Sequence, residues 1–306
     1  MRLPLLLIDS LKTVVLLTVM LGSAQATAIQ VLDEYQVMPI NSAIPIEPSG
    51  LTIRANRLFT VCDDGSQIYL IDELSENLAE AKVYQDLDIS QLAALNLDLE
   101  GITVVGDEFF LVSENHSKLV RVNGTQLHYV PDLGGVYANA FQAGLFQLDN
   151  AGLESAAYLG NQTFLMSVER QPRGLIEVTF DENFNHIIKQ TNQMFDDSTH
   201  PLESHRKPDL TGLFYYDGVI YALHRNAYLI HELVKQPNGE YQEGQVWSYE
   251  HIVRDPAYAY QDMTFGHAEG LAVDDQYFYL VLDNNRNPRL IDDQDIRPLL
   301  IKAKRK

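Results

Sequence analysis

The chain has 306 residues, with 42 Asp and Glu against 22 Lys and Arg, a net charge of −20 and a pI near 4.7. That balance excludes nucleic acid as a partner, because phosphate backbones need clustered Lys and Arg; it suits divalent cations or solubility outside the cell. A single cysteine, Cys62, excludes an internal disulfide, and its place in an apolar strand predicts a buried, inert thiol.

The first 28 residues read as a cleaved export signal. Arg2 and Lys12 flank an apolar beginning, Val14–Leu21 is a hydrophobic run, and Ala24-Gln25-Ala26 or Ala26-Thr27-Ala28 offers a cleavage site. The clean apolar run is shorter than the roughly 20 residues of a spanning helix. The expectation is a periplasmic or secreted protein, monomeric, with no transmembrane segment in the mature chain 29–306, which forms one domain.

From Pro48 onward the chain repeats itself. Ser49-Gly50-Leu51, Glu100-Gly101-Ile102, Glu154-Ser155-Ala156, Thr211-Gly212-Leu213 and Glu269-Gly270-Leu271 each open an apolar run. Their middle residues are 51, 54, 57 and 58 positions apart. After each run comes a turn signal (Arg54-Ala55-Asn56-Arg57, Gly106-Asp107-Glu108, Gly160-Asn161-Gln162, Asp217-Gly218, Asp274-Asp275-Gln276), then a second run rich in Val, Ile, Leu, Phe and Tyr. Third strands are expected at 68–71, 119–122, 175–178, 228–231 and 290–291, and outer strands at positions such as 126–130 and 245–250. Short helices are expected at 89–95, 136–146 and 292–296.

Four short strands repeated around a ring make an all-β propeller. About 55 residues per blade gives five blades; six would need a degenerate repeat within 124–152 or 181–208, where no two-strand signal stands out. Ile29–Met38 is expected to join strands around Leu299–Ala303 and close the ring.

The alignment gathers scattered polar residues into two rings. The first, at the mouth of each innermost strand, holds Ser49, Glu100, Glu154, Thr211 and Glu269. The second, 13 to 15 residues later at the end of the second strand, holds Asp63, Glu114, Glu169, the pair His224-Arg225, and Asp283. Both ends of a hairpin centred on its turn lie on one face, so the two rings meet at one mouth of the channel. Carboxylates crowded in a narrow channel need raised pKa values or a cation, and oxygen-only ligands suit Ca²⁺. The first ring is therefore the expected metal site. Glu114, Glu169, His224, Arg225 and Asp283 are the candidate catalytic groups, with Arg170, Asn284, Arg286 and His116 as binders of a small anionic substrate or envelope ligand. His200, Glu203 and His205 are a candidate transition-metal set. Nucleophile-elbow, Walker, dinucleotide and paired-Cys zinc motifs are absent.

Leu99-Glu100-Gly101-Ile102, Gly152-Leu153-Glu154-Ser155, Glu169-Arg170, Ala268-Glu269-Gly270-Leu271 and Leu282-Asp283-Asn284-Asn285 resemble the phytase-like (esterase-like phytase) group of exported bacterial propellers. The resemblance covers most of the mature chain and implies a calcium-binding propeller acting on phosphate or other esters. The chain is also similar to calcium-activated nucleotidases, which implies five blades and a central calcium near Ser49, Glu100, Ser155 or Glu154, and Glu269. It departs from their Trp-rich signatures, having only Trp247. The rival reading is a non-catalytic binding propeller whose ion is structural.

Overall fold

A computed structural model describes residues 28–305, apart from positions 132 and 197; the expected export signal lies outside the described residues. The described residues open with β1 (Ile29–Val31) and β2 (Tyr35–Ser42). Four antiparallel strands follow: β3 (Pro48–Arg54), β4 (Arg57–Cys62), β5 (Gln67–Ser75) and β6 (Leu78–Asp86). A second unit contains β7 (Leu99–Val105), β8 (Glu108–Ser113), β9 (Lys118–Asn123) and β10 (Gln126–Tyr129). Helix α1 (Leu133–Gln142) leads to a third, with β11 (Leu153–Gly160), β12 (Thr163–Val168), β13 (Gly174–Phe180) and β14 (Ile187–Met194). The fourth has β15 (Gly212–Tyr216), β16 (Val219–His224), β17 (Leu229–Lys235) and β18 (Tyr241–Ser248). After the short helix α2 (Glu250–Val253), β19 (Ala268–Val273), β20 (Tyr277–Leu282) and β21 (Leu299–Lys304) complete the described strands.

The innermost strands β3, β7, β11, β15 and β19 lie side by side in that order, and β19 returns against β3. The second strand of each unit reads as an almost unbroken apolar run because both of its faces are covered. In β8, Phe110 and Val112 pack toward the third unit while Phe109 and Leu111 pack toward the first. In β20, Phe278, Leu280 and Leu282 face the fourth unit, and Tyr279 and Val281 face the first. The core is thus divided into apolar clusters, one at each junction between neighbouring sheets. A strand with alternating sides buried against two neighbours is what radial repetition of sheets demands.

Three of the hairpin turns place two successive residues at positive φ, Ala55-Asn56, Asn161-Gln162 and Asp217-Gly218. This is the backbone twist that a two-residue hairpin loop requires.

The N-terminal segment closes the circuit, but differently from expectation in its first part. Tyr35–Pro39 of β2 pairs antiparallel with β21, and Ile40–Ser42 pairs parallel with β6, so the fifth and first units merge into one eight-stranded sheet. β1 instead lies parallel on the outer edge of β18, in the fourth unit. Leu290-Ile291 is not a third strand: β21 takes that place, and the stretch from Asn284 to Pro298 is held by turns and a Tyr260–Arg289 bridge. No helix forms at 292–296; the expected stretch at 89–95 contains a single 3₁₀ turn, Ile89–Leu92. Cys62 is buried and unpaired.

Candidate active site at the channel mouth

The inner strands approach one another so closely that only a hydrogen fits where most of them meet. A Cβ on Gly50 would lie 2.8 Å from Gly101 Cα, and one on Gly270 would lie 2.8 Å from Gly50 C. At the third unit a serine stands in the glycine slot, and Ser155 Oγ accepts a 3.0 Å hydrogen bond from the Leu213 amide on the next inner strand. The motif residue after each first-ring position is therefore a spacer that sets the width of the channel.

The first-ring residue itself sits at a break in strand register. Pairing slips between Leu99 and Gly101, between Leu153 and Ser155, between Ala268 and Gly270, and between Pro48 and Leu51. Each slip is a β-bulge, which leaves Glu100, Glu154, Glu269 and the Ser49-Gly50 pair out of the ladder and re-aims the side chain. β15 has no such slip and starts one residue later, at Gly212. Thr211 consequently points away, its hydroxyl donating to the Ala268 carbonyl at 2.9 Å.

A cavity of about 560 Å³ opens at this mouth. Asp63, Glu100, Glu114, Glu154, Glu169, Asp262, Glu269 and Asp283 line it, against Arg170, Lys207 and Arg225. Ser49, Glu100, Glu154 and Glu269 of the first ring are thus brought together with Asp63, Glu114, Glu169, Arg225 and Asp283 of the second. Carboxylate oxygens of Asp98, Glu100 and Glu114 come within 4.8 Å of one another, as do those of Glu47, Asp63 and Asp283.

Arg225 organises one side of the cavity. Its Nε donates to Asp209 Oδ2 at 3.0 Å, Nη2 to Glu169 Oε1 at 2.6 Å, and Nη1 to Glu269 Oε1. Burial opposes its charge, but the carboxylates of Glu269, Asp209 and Glu154 outweigh burial and hold this guanidinium well above its ordinary pKa. Glu169 also pairs with Arg170, whose Nη2 donates to the Asn150 carbonyl at 3.0 Å. Glu114 Oε1 accepts from the Gly152 amide at 2.7 Å. On the rim, His267 bridges the Asp283 and Asp262 carbonyls at 2.9 and 2.7 Å.

On the opposite side the charge is only partly offset. Burial, reinforced by Glu269, Asp63 and Glu114, pushes Glu100 well above the usual carboxylate range. Glu154 is raised in the same way by burial and by Glu100 and Glu269. Asp283 is pushed up to about 8, mainly by burial, and Asp63 to about 6. The second oxygen of Glu269 is buried without a hydrogen-bond partner. Such oxygens are acceptors waiting for a proton or a cation.

Several expected site residues stand elsewhere. His224 is fully buried behind the cavity, with Nδ1 3.5 Å from Arg173 Nη1 and Nε2 3.7 Å from Asp209 Oδ1, because the chain turns at this strand end and presents Arg225 instead. Asn284 is a scaffold residue, donating to the carbonyls of Asn287 and Ile296 at 2.6 and 2.9 Å. Arg286 points outward and pairs with Glu47 and Asp64 at 2.6 and 2.8 Å, tying the fifth unit to the first. His116 turns back to Ser113 Oγ at 3.1 Å and packs on Tyr129. His205 reaches the cavity, but Glu203 is engaged by Arg206 and Arg254, so His200, Glu203 and His205 do not form one metal set.

The repeat alignment did not reveal Asp209 and Lys207. Both come from the irregular segment before β15, whose one signal was its density of polar residues around two prolines. Arg206 fixes that segment by donating to the carbonyls of Thr264, Met263 and Asn226 and to the Tyr228 hydroxyl.

Among solved structures, the chain is similar to a glutaminyl cyclase from Myxococcus xanthus, at 12% identity and a TM-score of 0.55, with 90% of this chain and 97% of that one covered. A putative gluconolactonase aligns at 10% identity and a TM-score of 0.48, covering 89% and 94%. A virginiamycin B lyase from Staphylococcus aureus aligns at 10% and 0.46, covering 88% and 98%. At these identities the likeness to the cyclase carries the fold, a β-propeller, and not the chemistry. No curated protein matches the chain. The model of the SdiA-regulated family matches residues 30–286, and the chain belongs to that family.

Proposed function

We propose that this chain is an exported, five-bladed, calcium-binding propeller that hydrolyses a small anionic ester, of phosphate or another acid, at the channel mouth. One observation carries the reading: bulges on separate blades turn Glu100, Glu154 and Glu269 into one cavity, where their charge is only partly offset. Ser49, Glu100, Glu154 and Glu269 fit a hard cation, being oxygen donors with one buried carboxylate oxygen unpartnered. Thr211, His224, Asn284, Arg286 and His116 drop out of the proposed site. When bound, the ion supplies Lewis-acid polarisation and a more acidic water.

The remaining steps belong to the chain. Arg170 and Lys207 orient the anion at the rim. Arg225 holds Glu169 and Glu269 in place. Burial raises Asp283 above the other rim acids, which makes it the group of this wall suited to deliver a proton to the leaving alkoxide. Glu114 keeps one oxygen on the Gly152 amide, leaving the other to take a proton from water. The likeness of the motifs to phytase-like propellers supports the ester class.

A second reading, a binding propeller with a structural ion, is favoured by Arg225 itself: each of its nitrogens is already engaged by a carboxylate, which leaves less cationic surface for a substrate. One measurement tests the ion that both readings share, and a second separates them. Calorimetric melting with and without chelator tests the ion, and an unchanged Tm removes calcium from the proposal. Nitrophenyl phosphates, phosphodiesters and carboxyl esters assayed with Ca²⁺ on wild type and Glu100→Gln test the chemistry. Undiminished turnover in the variant rules out this cavity, and no turnover by wild type leaves the binding propeller.

A further inference from the structure

Behind the fourth unit lies a second group of metal-ligating side chains that the channel chemistry does not use. His231 on β17, Glu243 on β18 and His200 from the segment before β15 present ligand atoms within 4.8 Å of one another. His231 is 1% exposed, and neither of its ring nitrogens has a hydrogen-bond partner. A desolvated imidazole with both nitrogens idle is a costly thing to bury, and native interiors rarely contain one. Its Nε2 faces Glu243 Oε1 at 4.0 Å, and its ring lies 5.4 Å from that of His200, centroid to centroid.

We propose that His200, His231 and Glu243 form a site for a borderline divalent cation of the Zn²⁺ class, distinct from the oxygen-lined channel. Two imidazoles and one carboxylate are a zinc-type donor set and a poor one for calcium. Glu243 is already oriented as a ligating carboxylate should be. Arg173 Nη2 donates to Oε1 at 2.8 Å, while the Thr199 amide, at 3.2 Å, and the Thr199 hydroxyl hold Oε2. Arg173 is a nearby positive charge, and its ion pair with Glu243 offsets part of it. His200 supplies the third ligand from outside the sheet, being half-exposed on an irregular segment whose backbone Ser198 holds through the His200 amide and carbonyl. That segment continues to His205 and Lys207 at the channel mouth, so the bound ion would pin a wall of the central cavity to the side of the fourth unit.

The test uses the full chain, stripped of metal and titrated with Zn²⁺, Co²⁺ and Ca²⁺. The expected result is one Zn²⁺ per chain, a visible Co²⁺ spectrum of low-symmetry nitrogen and oxygen ligation, and no competition by Ca²⁺. His200→Ala should weaken Zn²⁺ at least about tenfold and erase the Co²⁺ spectrum without lowering the metal-free Tm. Thr199→Val should cost about tenfold through the orientation of Glu243. Glu100→Gln should leave both signals intact. Absence of stoichiometric Zn²⁺ binding, equal affinity in His200→Ala, or loss of the signal in Glu100→Gln each overturns the proposal.

Discussion

Replacing Arg225 with Met tests whether the channel is an electrostatically balanced site or an ordinary polar seam. The side chain is only 15% exposed and pairs with Asp209, Glu169 and Glu269, whose side chains are 0%, 4% and 12% exposed. Met has similar length and fills much of the volume, so the change removes charge with little cavity. Breaking a buried pair by deleting one partner costs about 3–5 kcal/mol, because the other charge stays desolvated. For a domain of this length, that is a fall in Tm of about 5–9 °C near neutral pH. The deficit should shrink at pH 5, since the stranded acids can protonate, and Ca²⁺ should rescue it by replacing the lost positive charge. Differential scanning calorimetry at pH 5 and 8, with calcium or chelator, reads all three effects. A Tm within 1–2 °C of wild type at pH 8, or a loss equal at both pH values, would refute the argument that Arg225 neutralises this mouth.

Other expectations follow from the same geometry. Asp283 and Asp63 have folded pKa values raised from 3.8 to about 8 and about 6, so their protonated forms favour the fold. Their contribution to stability is therefore fully present below about pH 3.8 and is lost as pH rises through 8, by roughly 5 kcal/mol for the buried Asp283 and by less for the more exposed Asp63; saturating Ca²⁺ should flatten that slope, and urea melts of metal-free and calcium-loaded protein between pH 4 and 8 check it. Gly101→Ala would place a Cβ 2.8 Å from the Glu154 carbonyl and 3.0 Å from Ser155 Cα, so overpacking should cost about 1–3 kcal/mol and widen the channel enough to weaken calcium binding, measurable by urea melts and calorimetric titration. Arg286→Ala removes an exposed inter-unit pair and should change stability by less than about 1 kcal/mol, leaving any ester turnover unaltered in the assay panel.

The repeat was legible because each hairpin obeys the same constraints. A small residue is needed where inner strands touch, and the second strand must be apolar on both sides, so Gly50, Gly101, Gly212 and Gly270 could be aligned by eye. The acids at the mouth were legible for the same reason, through their fixed distance from those spacers. What the pattern did not carry was direction. Thr211 occupies the aligned slot, but its strand has no bulge, so its hydroxyl turns to a neighbouring carbonyl. His224 and Arg225 are adjacent, and only the turn after β16 decides which faces the cavity. Asp209 was invisible because it lies outside the repeat, and the His200, His231 and Glu243 group because its members are 31 and 12 residues apart on three different elements.

The strand shared between the first and fifth units bears on how such a ring comes apart. At the other junctions neighbouring sheets meet through side chains and the close approach of inner strands, whereas here β2 is hydrogen-bonded along one half to β21 and along the other to β6. The place where Tyr35–Ser42 meets β21 and β6 is therefore continuous backbone pairing, and among the described residues it is the joint in the circle that is stitched along both halves of one strand. Strain that splits the wheel will open it between two internal units, leaving the two distant parts of the chain still zipped together.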